Sequence, residues 1–342
     1  MSLATTTATE TPRPVSPGAT PAPHQSRDSA LILASFAAVY LVWGSTFLAI
    51  RLGIESIPPL LLAGSRHLAT GLILYPVMRW RTGERPSAAN WRAGFITGCL
   101  LLVIGNGGVC LAERTVPSGV AALLVATVSL WMVLIDWLRP GGIRPVPRVI
   151  AGLILGFAGL ALLVGPKNLG GSGRVDPKGV AILAMASFAW AAGSIYAKHG
   201  RLPNSPMLGA AIQTLSGGVV LWSLGALTGE TRELHLAGIH LRSWLALAYL
   251  VAFGSMIGFT AYIYLLKKST ATKVATYALV NPVVALFLGW LMVGEAVTLR
   301  TVLAAAVILT AVVLVITAPH RQPSAISASV AGAAQDAPAA GL

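Results

Sequence analysis

The stretch ALILASFAAVYLVWGSTFLAI at residues 30–50 decides the class of this protein, because none of its 21 side chains is charged. A helix of this length, rising ~1.5 Å per residue, crosses the ~30 Å hydrocarbon core of a bilayer. In lipid, backbone amides find partners only within a helix or a closed barrel, and this unbroken apolar run lacks the alternation of barrel strands. We therefore predict a transmembrane helix.

The rest of the chain repeats this apolar pattern. Its 342 residues are 55% apolar and 10% charged, with a mean hydropathy of +0.76, whereas soluble domains carry about 25% charged residues. We predict an all-α polytopic membrane protein with ten transmembrane helices, embedded in a lipid bilayer. The nine further segments lie at residues 58–78, 93–111, 118–138, 149–164, 179–197, 207–227, 244–266, 272–292 and 301–317.

Three stretches lack such apolar runs. Residues 1–28 and 318–342 are rich in Ala, Pro, Ser and Thr, a composition that buries too little apolar surface to fold. We predict disordered cytoplasmic tails there, and a Gly-rich connecting loop at residues 166–178. The two segments that remain, residues 29–165 and 179–317, each hold five predicted helices.

The loop charges predict the orientation. With ten helices, both termini lie on one side of the membrane, and the loops and tails of that side hold 15 Lys and Arg residues against 8 on the other. Cytoplasmic loops carry the excess of positive charge. Both termini are therefore predicted to be cytoplasmic.

The two halves show weak internal similarity. Gly44-Ser45 recurs as Gly193-Ser194, and Arg148 before the fifth segment matches Arg300 before the tenth. Five helices per half is an odd number, so the second half inserts upside down relative to the first. Inverted repeats of this kind are the architecture of many secondary transporters, with a substrate site at the repeat interface.

Short motifs along the chain carry a family resemblance. They are Trp43-Gly44-Ser45-Thr46-Phe47, Pro58-Pro59 with Arg66, Val116-Pro117-Ser118-Gly119-Val120-Ala121, Asn281-Pro282-Val283 and Gly294-Glu295. In this order they resemble the EamA family of the drug/metabolite transporter superfamily. The resemblance implies ten helices as two inverted five-helix repeats, multi-pass insertion in the bacterial inner (plasma) membrane, and transport of a small metabolite, often outward. Ser129, where a proline matching Pro282 is expected, and His67, where Phe is common, depart from the family pattern.

Arg66 is the charged residue placed deepest in the membrane. It follows Pro58 by eight residues, which puts it roughly 12 Å into the hydrocarbon core. One interpretation is a cavity residue that pairs with a substrate carboxylate or phosphate. The other is a structural lock, bonded to helix-end carbonyls, to Glu113 or to Asp136. The sequence leaves both open.

Amide side chains and a proline mark three other helices near mid-depth. Asn281-Pro282 interrupts the ninth segment, where proline removes a backbone donor and predicts a kink, which we interpret as a hinge. Asn106 and Gln213 are expected to face the bundle, with helix-to-helix hydrogen bonding as the alternative to a cavity role. The aromatic residues near the Gly-Ser pairs suit the wall of a small-molecule site. The candidate cavity residues are Trp43, Ser45, Arg66, Asn106, Trp190, Tyr196, Gln213, Tyr277 and Asn281.

The acidic residues narrow the substrate class. The 11 Asp and Glu residues fall in the tails, loops or segment ends, whereas a carrier that exchanges protons for cationic drugs needs a buried carboxylate. We therefore expect neutral or anionic metabolites such as amino acids, with coupling to protons or sodium left open.

Other functions lack a supporting motif. No clustered basic face for nucleic acid, no Gly-rich ATP loop and no metal-ligand spacing is found, so neither metal nor cofactor is expected. Cys99 and Cys110 lie roughly 16 Å apart along one helix, beyond disulfide reach. We expect no enzyme activity; the alternatives are a membrane-embedded enzyme acting on a lipid-linked substrate and a passive facilitator channel. The three Gly-x-x-x-Gly motifs indicate close helix packing or, as the alternative, a homodimer contact.

Overall fold

The computed structural model describes residues 23–116, 121, 124–142, 144–164, 177–293 and 299–319. Within these residues all regular secondary structure is helical, and ten apolar helices account for most of it. A single helical turn, Ala271–Ala275, precedes α9, and a short helix, Glu230–Glu233, follows α7. The ten helices are α1 (Pro23–Gly53), α2 (Pro59–Thr82), α3 (Ala88–Ala112), α4 (Leu124–Leu138), α5 (Pro147–Val164), α6 (Pro177–His199), α7 (Pro206–Leu227), α8 (Leu241–Lys268), α9 (Tyr277–Val293) and α10 (Leu299–Ile316).

Each predicted transmembrane segment overlaps one of these helices. In the described part of the chain six helices (α1, α2, α3, α6, α7 and α8) are long and apolar enough to cross a membrane unaided, and the others are shorter. The expectation for residues 1–28 needs a correction, because α1 already begins at Pro23 and proline is well suited to a first helical turn. Residues 1–22, 165–176 and 320–342 lie outside the described residues.

Contacts at the helix ends show that successive helices run in opposite directions. We call the side where α1 begins the terminal side and the side where it ends the distal side. On the distal side, Ser243 Oγ at the start of α8 donates to the Leu52 carbonyl at the end of α1 (2.7 Å). On the terminal side, Lys198 Nζ at the end of α6 donates to the Leu266 carbonyl at the end of α8 (2.8 Å). The first half therefore starts on the terminal side and the second half on the distal side.

The two halves share one packing pattern. Each helix of the first half has an equivalent in the second half, five helices later in the chain, and contacts between helices recur between their equivalents. Helix α2 packs on its own equivalent α7, and α5 packs on its equivalent α10. The contact of α1 with α8 is matched by that of α6 with α3, and the contact of α1 with α9 by that of α6 with α4. The fold is thus two inverted five-helix repeats.

The same exchange relates irregular parts of the backbone. Helix α3 contains a π-helical segment at Cys99–Gly107, and α8 contains one at Leu250–Phe259. The helical geometry is also interrupted at Thr127 and at Thr276. In each case the threonine hydroxyl donates to the carbonyl three residues earlier, at 2.6 Å. The second interruption lies ahead of Pro282, around which α9 is continuous.

Glycines let the paired helices approach at backbone distance. A Cβ atom on Gly71 of α2 would stand 2.6 Å from the Leu215 nitrogen of α7. The three Gly-x-x-x-Gly motifs pack inside the chain in the same way: Gly94 and Gly98 on α7, Gly152 on α10, and Gly258 on Trp43 of α1. Close packing within one chain accounts for these motifs, and a homodimer contact stays a prediction.

We predict that Gly71→Ala destabilises the α2–α7 pair, by about 1–3 kcal/mol, because a methyl group there overlaps backbone atoms that have no room to move. Gly209→Ala, in α7, is the matched control. Its Cβ would lie 3.8 Å from the nearest atom, Pro203 Cδ, and alanine is the better helix former by about 1 kcal/mol. Thermal unfolding of both purified variants in detergent checks this; equal unfolding temperatures would contradict it.

A carboxylate from the second half caps α2 on the distal side. Glu230 Oε2 accepts hydrogen bonds from the backbone N–H groups of Leu60 (2.9 Å) and Leu61 (3.0 Å). These belong to the first turn of α2, whose donors have no partner within the helix. Burial raises the pKa of Glu230, and the two amide donors oppose that rise. This cap joins the two halves at the distal side.

Glu230→Ala is expected to lower stability by about 1–2 kcal/mol, because it leaves two buried donors of α2 unsatisfied. Glu233→Ala provides the control, since the Glu233 side chain is 65% exposed and lies 3.7 Å from Arg114. Exposed ion pairs contribute at most about 1 kcal/mol. Unfolding temperatures of the two variants in detergent should differ in this order.

Candidate functional site

A central cavity of about 80 Å³ lies where helices of both halves meet. Its wall is formed by α1, α3 and α4 of the first half and by α6 and α9 of the second. It extends toward the distal side, because the segments that line it reach Ile50 of α1 and Val109 of α3. Within the described part of the chain its lining has no charged side chain: Trp43, Thr46, Phe47, Ile50, Gly105, Asn106, Val109, Val125, Val128, Ala186, Ser187, Trp190, Tyr277 and Asn281.

Four aromatic rings close the cavity toward the terminal side. We call Trp43, Trp190, Tyr262 and Tyr277 the aromatic plug. The Trp43 ring centroid lies 5.5 Å from that of Trp190, 4.9 Å from that of Tyr262 and 5.0 Å from that of Tyr277. Trp43 is the only member from the first half, so the plug is a contact between the halves.

Hydrogen bonds hold the plug in place. Trp43 Nε1 donates to the Gly254 carbonyl (3.0 Å), and Trp190 Nε1 donates to the Tyr262 hydroxyl (3.1 Å). The Tyr262 hydroxyl also contacts Ser194 Oγ at 2.5 Å. The polar tips of the rings are therefore satisfied, while their apolar faces meet one another.

Two more contacts between the halves lie on the terminal side of the plug. The Tyr40 hydroxyl contacts Thr276 Oγ1 at 2.6 Å, and Ser129 Oγ donates to the Ala275 carbonyl (2.8 Å). Ser129, the position where the family pattern leads to an expected proline, thus binds the turn that precedes α9. Together with the plug, these bonds close the terminal end of the cavity.

Two amides supply polarity to the cavity wall. Asn106 Oδ1 accepts from Nε2 of His67 (3.2 Å), which places the second departure from the family pattern directly behind the wall. The Asn281 amide nitrogen, in the orientation that satisfies it, donates to the carbonyls of Tyr277 (3.1 Å) and Tyr40 (3.2 Å). Asn281 therefore links α1 and α9, and its oxygen is left to accept.

Arg66 lies behind the cavity wall and is 5% exposed. Its Nε donates to Ser255 Oγ of α8 (3.0 Å), and Nη1 has no hydrogen-bond partner among the described residues. Arg66 Nη2 and Thr46 Cγ2 both lie close to Gly254. A Cβ atom added to this glycine would be 3.3 Å from Arg66 Nη2 and 3.1 Å from Thr46 Cγ2. Since Thr46 lines the cavity, the guanidinium is directly beneath its surface.

The predicted lock on Arg66 through acidic side chains is not observed. Within the chain that the structure describes, no carboxylate lies within 4.0 Å of Arg66, and Asp136 pairs instead with Arg139 (2.7 Å). Glu113 makes no ion pair with Arg66 either. The Arg66 charge is thus buried and only partly hydrogen-bonded.

Comparison with known sequences decides the family of this fold. The profile of the EamA-like transporter family matches the chain twice, over residues 29–165 and 177–317. The chain belongs to the EamA-like transporter family. The two matches correspond to its two five-helix halves, and residues of both halves line the cavity of this EamA-like protein.

Relatives of this EamA-like chain occur in Escherichia coli and Bacillus subtilis. It is 40% identical over 279 residues to the uncharacterized inner membrane transporter YedA of Escherichia coli (strain K12), covering 81% of this chain and 88% of the relative. It is 27% identical over 298 residues to the uncharacterized transporter YvbV of Bacillus subtilis (strain 168), covering 87% and 94%. A probable amino-acid metabolite efflux pump of Escherichia coli (strain K12) is 25% identical over 294 residues, covering 80% and 90%.

A solved crystal structure illustrates the same fold. It superposes with a TM-score of 0.67 at 20% identity, covering 84% of this chain and 97% of that one. At this identity the likeness concerns the fold alone.

The structure places five of the nine candidate residues in the cavity wall and four elsewhere. The five are Trp43, Asn106, Trp190, Tyr277 and Asn281. Ser45 follows Trp43 by two residues, about 200° around the helix, and its hydroxyl contacts Tyr249 instead (2.5 Å). Tyr196 is turned about 240° from Trp190 and is 37% exposed.

The other two candidates lie behind the wall. Arg66 has been described above, and Gln213 is fully buried in α7, beside Gly98 of α3. The Gln213 side-chain oxygen and nitrogen have no partner among the described residues. The expectation that these four residues line the cavity is therefore corrected. Helical rotation turns Ser45 and Tyr196 away from it, whereas Arg66 and Gln213 belong to α2 and α7, which contribute no described residue to its wall.

Helical spacing in the sequence could have identified several lining residues that were missed. Thr46, Phe47 and Ile50 follow Trp43 by three, four and seven residues, the spacing that repeats one helix face. Ala186 and Ser187 precede Trp190 by four and three in the same way. None of the sequence motifs predicts the π-helical segments that carry Asn106 and Ser255, although such segments are frequent at functional sites.

Arg66→Met is expected to unfold at the same temperature as the wild type or higher, because it replaces a partly unsatisfied buried charge with an apolar chain of similar length. Arg139→Met is the contrasting variant. It leaves the buried Asp136 carboxylate without its 2.7 Å partner and should cost about 1–3 kcal/mol. Thermal unfolding in detergent measures both; a strongly destabilised Arg66→Met would instead support a structural role for this arginine.

Proposed function

We propose that this protein is a secondary carrier that moves small neutral or anionic metabolites, such as amino acids, by alternating access between its two inverted halves. The observation that carries this proposal is the cavity between the halves, which extends toward the distal side and is closed toward the terminal side. A site of this kind at a repeat interface can be exposed to either face by rocking one half against the other.

The closing contacts are of a type that can separate. Between the halves they are ring contacts of Trp43 and single hydrogen bonds of Trp43, Tyr40 and Ser129. Each such contact contributes on the order of 1 kcal/mol, so two arrangements of the halves can lie within a few kcal/mol of each other. Pro282 in α9, beside the cavity residue Asn281, is the proposed hinge.

The cavity chemistry supports the substrate class. Its lining supplies two amides, hydroxyl groups and aromatic rings, without a carboxylate to attract a cation among the described residues. The Arg66 charge just beneath the wall favours a substrate that carries a carboxylate. The name of the relative described as a probable amino-acid metabolite efflux pump points in the same direction.

The proposal includes location and orientation. The YedA relative is named an inner membrane transporter, and we propose the same membrane for this chain. The excess of Lys and Arg on the terminal side supports a cytoplasmic location for both termini. The moving halves are then residues 29–165 and 179–317, and export carries substrate to the distal side.

Two other functions, a passive channel and a membrane-embedded enzyme, fit this cavity less well. A passive channel needs a continuous polar path, whereas the aromatic plug interrupts this one. An enzyme acting on lipid-linked substrates needs convergent acid, base or metal ligands, and no group of three His, Cys, Asp or Glu suited to a metal is found among the described residues. The cavity therefore favours a carrier.

We predict that Ala186→Leu abolishes transport. Ala186 is 2% exposed and lines the cavity, so a leucine there fills space that the substrate needs. Ala184→Leu is the matched control, since Ala184 lies on the same helix and is exposed toward lipid. Both variants, reconstituted in vesicles, are tested for movement of labelled amino acids with and without an imposed pH gradient.

The controls make the outcome decisive. Equal recovery of both variants from the membrane shows that each one folds. Transport by Ala184→Leu but not by Ala186→Leu supports the cavity as the substrate path. Undiminished transport by Ala186→Leu refutes it, and wild-type vesicles that move none of the labelled compounds refute the proposed substrate class.

A further inference from the structure

Glu113 lies just beyond the cavity wall, toward the distal side. It follows Ala112, the last residue of α3, and its N–H donates to the Val109 carbonyl (3.0 Å). It follows Asn106 by seven residues and Val109 by four, a spacing that repeats one face of a helix. Because Asn106 and Val109 line the cavity, Glu113 stands on the same face, one turn nearer the distal mouth.

One oxygen of the Glu113 carboxyl is shielded from water, although the residue as a whole is only partly buried. Its Oε1 atom is buried and has no hydrogen-bond partner among the described residues. The charge that acts on it most is Arg51 of α1, which directly follows the cavity residue Ile50. An ionised carboxylate is costly in such a position, because burial removes water and no donor replaces it.

Other charged and titratable groups surround this position. Cys110 lies one turn back on α3, and the charges of Glu113, of Arg66 on α2 and of Glu230 beyond α7 all act on its thiol. The neighbouring Arg114 points elsewhere, toward Glu233 at 3.7 Å. For Glu113 itself, the Arg51 charge favours the ionised form and burial opposes it.

These opposing effects give the Glu113 carboxyl a pKa close to neutral pH. Burial raises the pKa of Glu113 to about 8, and the Arg51 charge opposes that rise. A carboxyl with a raised pKa stabilises this conformation while it is protonated. This stabilisation is lost as the pH rises through about 8. A conformation that hydrates the carboxyl lowers its pKa and releases the proton.

We infer that Glu113 is the proton-binding group of this carrier, and that it exchanges one proton with water at the distal mouth as the cavity opens and closes there. The O–H proton passes to water and leaves a carboxylate beside Arg51; the reverse step restores the acid. Substrate favours one conformation, and the affinity of Glu113 for protons differs between conformations. Because linkage is reciprocal, substrate binding and proton binding are then coupled. This inference rests on the proposed carrier function and assigns its coupling ion.

Carbodiimide labelling tests the protonation state without a substrate. Dicyclohexylcarbodiimide reacts with protonated carboxyl groups in apolar surroundings, and peptide mass spectrometry locates the product on the full-length protein in vesicles. From pH 7 to pH 9 the protonated fraction of a group with a pKa of about 8 falls about tenfold, and labelling of Glu113 should fall equally. The exposed Glu233 is the internal reference and should stay unlabelled. Absence of Glu113 labelling at pH 7, or labelling that is constant to pH 9, overturns the inference.

Transport measurements test the coupling. With a labelled amino acid that the wild type moves, the rate should change about tenfold between external pH 7 and 9, and Glu113→Gln should remove that dependence. Glu113→Asp should retain a pH dependence, and Glu233→Gln should match the wild type. A Glu113→Gln variant with the wild-type pH profile overturns the inference. If the wild type moves none of the compounds, the proposed substrate class fails and the labelling result alone decides the role of Glu113.

Discussion

The structure depends on one constraint: a backbone amide in hydrocarbon must be hydrogen-bonded within the protein. Helices meet this constraint along their whole length, and this is why the described chain is built from them. The places where the helical hydrogen bonding changes are few, and they surround the cavity. They are the two π-helical segments of α3 and α8 and the interruptions at Thr127 and Thr276. At both interruptions the threonine hydroxyl and the backbone N–H of the same residue donate to one carbonyl, three residues earlier.

The contacts between the helices divide into two kinds. The α2–α7 and α5–α10 pairs meet at glycines, where backbones touch and a methyl group has no room. Contacts of this kind are rigid, because neither backbone can yield. Around the cavity the halves instead meet through rings and hydroxyls, such as those of Trp43 and Tyr40. The fold thus combines fixed helix pairs with a central region whose contacts can be exchanged singly.

Two ionisable groups near the cavity are costly to the folded state. Arg66 is buried with an unsatisfied Nη1, and Glu113 has a buried oxygen without a donor. Groups of this kind destabilise a protein unless a partner arrives in another state. A carboxylate substrate is a suitable partner for the first, and a proton is a suitable partner for the second. Both groups are found within one turn or one side chain of the cavity wall, which connects their cost to transport.

Much of this could be predicted from the sequence. The hydrocarbon core sets the length and composition of a helix that crosses it, so the ten segments can be recognised as apolar runs such as residues 30–50. Because each half has an odd number of helices, the second half is inverted relative to the first. The aromatic residues and amides at mid-depth were likewise visible, since such side chains are expensive in lipid and are expected to face the protein interior.

Only the tertiary structure decided which neighbours in sequence share the cavity. Trp43 lines it and Ser45 does not, since ~100° of rotation per residue separates them and the direction of each helix face is set by its partners. The isolation of Arg66 from Glu113 and Asp136, and the shielding of the Glu113 carboxyl, depend on packing between distant segments. Composition determines what enters the membrane, whereas the rotation and close approach of whole helices determine what a substrate would meet there.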